Sequence, residues 1–486
     1  MTQKRAAVLI DPKVTYCKTP PFHPAEIYPE LSGFCEGTDA ENRVYGHVRE
    51  CLKNLGLDAG NFGTAAWNPF GELIKPGERV LIKPNLVLHF RGPDTDIESV
   101  VTHGSVIRPL VDYALKALDG QGEVVIGDAP HGNADFEAIV KFNGLAQLVD
   151  YYREQGQPVV LRDFRKYQYG TGPNGFVAEL CREVSRDPEG YQLVSLGERS
   201  FMHGLPHLER LYGSDYDRSF IVRQQVPDHR YLLSGTLMKA DVVIGVPKMK
   251  THKKVGVTLN LKNLVGVNGD KNYLPHYRVG PPSKGGDEYP DTKSPVLKLL
   301  RWWHRFACDR LLAPNTRWGR RVYMKFNIPF FILRRLWLGW SKAELAELGD
   351  WPGNDTTWRM CLDLNDILLF ADKEGRLHDS RQRKYFTLID GITAGEQNGP
   401  MFPLPKPAGY VACGFDPFLV DYVCAYQMGF DPEKIPLLAT ARRTERFKFD
   451  PDPSAISCVR DGVEASFKDV NLQFLPHKAW RGTIER

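Results

Sequence analysis

Residues 240–280 read ADVVIGVPKMKTHKKVGVTLNLKNLVGVNGDKNYLPHYRVG. The stretch opens as a buried strand, because Val242, Val243, Ile244 and Val246 form a short β-branched run punctuated by Gly245 and closed by Pro247. The character then changes. Lys248, Lys250, His252, Lys253, Lys254, Lys262 and Lys271 follow, with Asn260, Asn263 and Asn268 among them. Open α/β sheets bind ligands at the C-terminal ends of their strands. A strand that hands over directly to cations and a His therefore predicts an anion site. The alternative is a solvated basic loop, but Val255, Val257, Leu259, Leu261, Leu264 and Val265 are interleaved with the cations, which such loops do not usually carry.

The same sentence of sequence recurs on either side. Val80–Val87, after a Pro76-Gly77 turn, is a second buried strand ending in Lys83 and Asn85. Lys83 either meets a ligand or snorkels from the strand end. Thr102-His103-Gly104-Ser105 precedes an amphipathic helix from Val106 to Leu118, with Thr102 or Ser105 as N-cap. Glu123–Ile126 is a third strand, followed by Gly127, Asp128, His131 and Asn133. Tyr385–Gly391 is a further one, ending in Asp390 before the Gly-rich run that holds Glu396. Asp416 stands where it would cap the helix carrying Asp421.

Strands and helices alternate, so the expected fold is α/β: a doubly wound, mostly parallel sheet with helices on both faces, plus insertions. The expected division is an N-terminal α/β half (1–160), an insertion or small β-subdomain (161–230), the central strand with its basic site (231–296), a basic aromatic helical insertion (297–345) and a C-terminal α/β half (346–486). Tyr16–Gly33, with four prolines, reads as an extended arm over the surface. Phe220–Val222 reads as a short strand and Tyr231–Ala240 as the helix entering the central strand. No G-x-G-x-x-G or Walker A motif follows a strand.

These residue types sort into roles. Lys83, Asn85, His103, Lys248, Lys250 and Asn263 are candidate substrate ligands for an anion. His252, Lys262, Asp390 and Glu396 are candidate catalytic groups, a His and a Lys beside carboxylates for acid–base work. Asp128, His131 and Asp390 are candidate ligands of a divalent metal. Cations and carboxylates together favour an enzyme over a pure binding site. The reaction class stays open between isomerase-like proton transfer and phosphoryl or glycosyl transfer, and a non-enzymatic anion-binding protein is the third reading.

The patterns DVVIGVPKMKTH and TLNLKNLVG, with VLIKPN and IDGITAGEQNGP, resemble the domain-of-unknown-function family 362 over roughly residues 75–440. That resemblance implies the same α/β core and no single activity. More distantly, the stretch is similar to the N-terminal domain of lactate racemase, in which a strand-end His is followed ten residues later by a lysine, as His252 is by Lys262. There the lysine carries a covalent nickel pincer nucleotide. Here the glycine-rich run before it is replaced by Val257–Leu261. Some members of family 362 carry cysteine clusters for iron–sulfur centres. The nine cysteines here are scattered without C-x-x-C spacing, so no iron–sulfur cluster is expected.

Net charge is only +4 over 486 residues, which gives no global nucleic-acid signature. The cysteine usage, the lack of a signal peptide and of any membrane-length apolar run predict a cytoplasmic protein. Residues 298–342 stand apart: ten aromatic residues lie among eleven Lys and Arg with Asp309 as the sole acid. This suits a helix in the headgroup region of a membrane's inner face. The competing reading is a helical hairpin packed on the sheet, and single-stranded nucleic acid ranks third. The expected partner is an anionic small molecule or a lipid-linked, phosphorylated-sugar substrate.

Overall fold

The computed structural model describes residues 5–33, 36–90, 97–168, 181–213, 218–314, 316–325 and 347–486. Among these residues the main sheet has eleven strands. They are β1 (Ala6–Ile10), β2 (Arg79–Pro84), β3 (Glu123–Asp128), β4 (Val159–Asp163), β5 (Val242–Val246), β6 (Lys248–His252), β7 (Gly256–Thr258), β8 (Lys384–Glu396), β9 (Leu404–Gly414), β10 (Ile456–Arg460) and β11 (Val463–Glu464). Across the sheet the order is β11-β10-β1-β9-β8-β5-β2-β3-β4, with β6 laid along the far half of β8 and β7 beside β6.

The strands β8, β5, β2, β3 and β4 run parallel. From β2 the chain winds outward through β3 to β4, then returns to the other side of β2 for β5 and β8. The winding direction therefore reverses between β2 and β5, where Gly245 pairs with Lys83 and Val246 with Pro84. Crevices outside the strand ends at such a reversal are the binding places of open α/β sheets. β9 runs antiparallel to both β8 and β1 and turns the C-terminal edge into a mixed sheet.

Alternate side chains of each strand enter different cores. Val242, Ile244 and Val246 join Val80, Ile82, Val124 and Ile126 under the helices Arg43–Asn54, Gly104–Leu118 and Leu145–Glu154. Val243, Leu81 and Val125 face the opposite way, toward Thr357–Phe370, Pro417–Met428 and Pro436–Arg443. The near-continuous β-branched runs follow from this two-sided burial. Each such side chain, fully buried, contributes about 1.5–3 kcal/mol.

Several local expectations give way. The proline-rich arm is not a surface wrap: Val14, Tyr16, Cys17, Phe22 and Leu31 are buried in the second core. Phe220–Val222 belongs to the helix Arg218–Gln225, and Arg230–Ser234 is a strand paired with Tyr191–Ser195, followed by a helix only from Gly235 to Lys239. Ser234 caps that helix while Asp187 holds Thr236, so helix geometry starts later than hydrophobic periodicity suggests. His103, rather than Thr102 or Ser105, is the N-cap of Gly104–Leu118, its ring accepting from Ser105 N–H. Of the basic aromatic segment, residues 326–342 lie outside the described residues, including Phe330–Trp337. Among the described residues no helix is long and apolar enough to cross a membrane.

Candidate functional site

β2 delivers Lys83 into the sheet interior at the winding reversal. Its ammonium donates to Asp128 Oδ1 at 2.7 Å, Asn263 Oδ1 at 3.0 Å and the Pro84 carbonyl at 2.8 Å. Asp128 ends the neighbouring strand β3, and its second oxygen accepts from Leu86 N–H at 2.6 Å. Burial pulls Lys83 below the usual lysine range, and the Asp128 charge opposes that pull. Gly266 crosses over the pair. A Cβ there would lie 1.9 Å from Asp128 Oδ1, so the backbone can approach only as glycine.

The polar chain continues sideways. Asn85 donates to Asn263 Oδ1 at 3.3 Å and accepts from Lys250 Nζ at 2.9 Å, which also donates to the Val100 carbonyl at 2.5 Å. Lys250 is fully buried, and burial with the nearby Lys248 and Lys262 holds it well below the ordinary lysine range.

Lys248 and Asp390 form a separate, sealed unit. β8 is a thirteen-residue strand, so Asp390 sits in its middle and not at its end. Asp390 Oδ2 accepts from Lys248 Nζ at 3.0 Å and His103 N–H at 3.0 Å; Oδ1 accepts from Tyr16 OH at 2.5 Å. Tyr16 comes from the buried arm, hydrogen-bonds Lys248 as well, and stacks on the His103 ring at 4.2 Å. Burial, with Lys248 adding to it, keeps His103 neutral. The expected ligands His103 and Lys248 and the expected catalyst Asp390 thus form a wall. Glu396 is likewise engaged elsewhere, with Lys406 at 3.1 Å and Leu475 N–H at 3.0 Å, where it pins the C-terminal segment.

Beside this wall lies a cavity of about 300 Å³. Asn85, Asp128, His131, His252, Lys262 and Asn263, all named from the sequence as candidates, line it together with Lys254, Lys271, Tyr212, His276, Tyr277 and Arg305. Lys254 and Lys253 both pair with Asp350, at 2.8 and 2.9 Å. Lys271 donates to the carbonyls of Ala129, Val265 and Asn268. Lys262 differs: its ammonium makes no hydrogen bond to any described residue. It rides on the one-turn helix Asn260–Asn263, whose first N–H groups, on Asn260 and Leu261, are held by Asp421 at 2.9 Å each. Asp421 in turn lies on the helix that Asp416 caps, as expected. Burial pushes the Asp421 carboxyl up to about 7. Burial lowers Lys262, with Cys361 opposing and Lys83 adding to it.

Burial lowers His131, His252 and His276 below the ordinary histidine range. His276 Nδ1 lies 2.9 Å from the Leu274 carbonyl, which can only accept, so Nε2 keeps its lone pair. Burial, then Lys254 and Lys262, lower His276 to about 3. His131 Nδ1 lies 2.5 Å from Asn133 Oδ1 and 3.5 Å from the Asn133 N–H. His252 is the reverse: Nδ1 accepts from Lys254 N–H at 3.0 Å, so Nε2 bears the proton. Sequence reasoning missed His276. Its signal was the Pro-His pair at the end of the same basic stretch.

The expected metal ligands Asp128, His131 and Asp390 do not come together. Asp390 has both oxygens engaged in the wall, and among the described residues no group of three His, Cys, Asp or Glu is placed to hold a metal.

The model of the family described as "Domain of unknown function (DUF362)" matches residues 80–185 and 157–426. The chain belongs to this family. The DUF362 match takes in Lys83, Asp128, Lys262, His276 and Asp421. A thylakoid-associated protein of Synechocystis is 23% identical over 376 residues, covering 77% of this chain and 70% of that protein. A Thermotoga maritima protein of known crystal structure aligns over 78% of the chain at 11% identity and a TM-score of 0.28. The chain spans 58% of that protein's length.

Proposed function

We propose that this DUF362 protein is an enzyme that binds a small organic anion in the cavity and moves a proton on it. The observation that carries the reading is Lys262: a half-buried cation, without a hydrogen-bond partner among the described residues, facing a space lined by further cations. A carboxylate or phosphate placed there gains a charge-assisted hydrogen bond that nothing in the protein already supplies. His276 Nε2, a neutral lone pair, accepts the proton; the Nε2–H of His252 stabilises charge that develops on a carbonyl oxygen. His276, protonated in that step, returns the proton to the same carbon. Asp390 and Glu396 take no part. The likeness of His252 and Lys262 to lactate racemase supports the same class of chemistry. The name of the Synechocystis relative supports a peripheral place at a membrane.

Proton NMR in D2O with a panel of small hydroxy acids, oxo acids and phosphate esters tests this. The expected result is deuterium wash-in at one carbon, abolished by His276→Gln. Lys262→Met should weaken binding of that anion roughly 10–100-fold while the protein stays folded. A Lys262→Met protein that binds anions as the wild type does would sink the reading.

A further inference from the structure

Helix Pro295–Ala307 has two unlike faces. On one, Arg305 pairs with Glu288 and lies 4.5 Å over the Tyr212 ring, Arg301 covers Tyr289 at 3.7 Å, and His304, Arg305 and Cys308 line the cavity. This helix is the cavity's roof. On the other face, at helical spacing, Leu299, Trp302 and Phe306 are 62%, 58% and 43% exposed, with Trp303 beside them. The Trp302 and Phe306 rings stack on each other at 5.6 Å. Trp318, on the next helix, is 70% exposed. Isolated exposed apolar residues need no explanation, but a contiguous aromatic stripe does.

The charges around the stripe say what covers it. Lys293, Lys298, Arg310, Arg317, Arg321 and Lys325 are all exposed, and Asp309 is the only acid in residues 292–325. A protein partner would usually meet a mixed rim. Exposed aromatic side chains in a stretch whose exposed charges are nearly all cations match the interface of an anionic bilayer, rings among the acyl boundary and cations on phosphates.

We propose that this face docks the protein on an anionic lipid surface, and that the anion taken by the cavity is the headgroup of a membrane-borne amphiphile. The second half rests on the cavity reading above; the docking does not. The thickness of one helix, about 10 Å, separates the lipid-facing rings from the cavity lining, within reach of a phosphate or sugar headgroup.

Co-sedimentation of the full chain with sucrose-loaded vesicles tests it. Binding is expected to phosphatidylglycerol-rich vesicles and not to pure phosphatidylcholine, and it should fall with salt. Trp302→Ser/Phe306→Ser should abolish it, and each of Arg317→Gln and Arg321→Gln should lower the partition about fivefold. All four positions are exposed, so circular dichroism should be unchanged. Wild-type protein that stays in the supernatant, an aromatic double variant that sediments normally, or a dimer lost in that variant would overturn the docking. Lys262→Met separates the two halves: it should sediment as the wild type does. If neither protein binds any soluble anion or headgroup, the amphiphile assignment falls while the docking stands.

Discussion

Lys83 and Asp128 end adjacent parallel strands, and their side chains meet at 2.7 Å with almost no access to solvent. Breaking such a pair leaves an uncompensated buried charge. Asp128→Asn and Lys83→Met are each expected to cost about 3–5 kcal/mol, whereas Lys83→Met/Asp128→Asn should cost less than the sum of these single changes. Urea unfolding of the four proteins measures the cycle. Additive single effects would mean the two residues are energetically independent.

The same pair restricts the chain that crosses it. Gly266→Ala places a methyl 1.9 Å from Asp128 Oδ1 and 2.7 Å from Lys83 Nζ. An overpacking cost of about 1–3 kcal/mol follows. The melting temperature should drop, and anion binding should weaken with it, because Asn263 shares the Lys83 ammonium.

Tyr16→Phe removes one hydroxyl from the sealed Lys248–Asp390 unit and leaves Thr393 N–H without it. Hydrogen bonds to charged groups contribute about 1.5–3 kcal/mol each, so a loss of that order is expected in chemical denaturation. Tyr16 does not line the cavity. Calorimetric titration with an anionic ligand should therefore give the wild-type affinity, and a large loss of affinity would place the wall inside the site.

Asp421→Ala strips the Asn260–Asn263 turn of its acceptor. Each buried donor left unpaired costs about 1–3 kcal/mol. The readout that separates this from general destabilisation is anion affinity at a temperature where the variant is folded. It should fall, because Lys262 rides on that turn.

Acid and neutral pH should act on stability in opposite directions through two groups. His276 is lowered from 6.5 to about 3. Between those values the unfolded chain binds the extra proton, so stability is lost as pH falls through that window. Asp421 is raised from 3.8 to about 7. There the folded state holds the extra proton, and its contribution is lost as pH rises through about 7. Unfolding free energy measured from about pH 4 to about pH 8 should show a flatter acid limb in His276→Gln and a flatter neutral limb in Asp421→Asn.

The sequence by itself determined the sheet, because β-branched runs closed by Pro or Gly have few other places to go, and runs such as Val242–Val246 need burial on both faces. It also determined that cations and amides collect at strand ends. Lys83, Asn85 and Asp128 stand at or just past the ends of β2 and β3, whereas Lys262 rides on the turn Asn260–Asn263. Only the tertiary structure decided which of these groups are free. Lys83 finds its carboxylate 45 positions away and Lys248 finds Asp390 142 positions away, pairings set by strand order and register and not by local spacing. Asp390 looked like the end of a strand because Gly391 follows it, yet pairing with β9 carries the strand on to Glu396. The arm's prolines suggested a surface path, while Tyr16 and Phe22 supplied the apolar area that drew it inward. The tautomers of His252 and His276 depend on a single N–H and a single carbonyl partner. Those partners exist only once the loops are folded, and the same folding leaves the Lys262 ammonium without a hydrogen bond among the described residues.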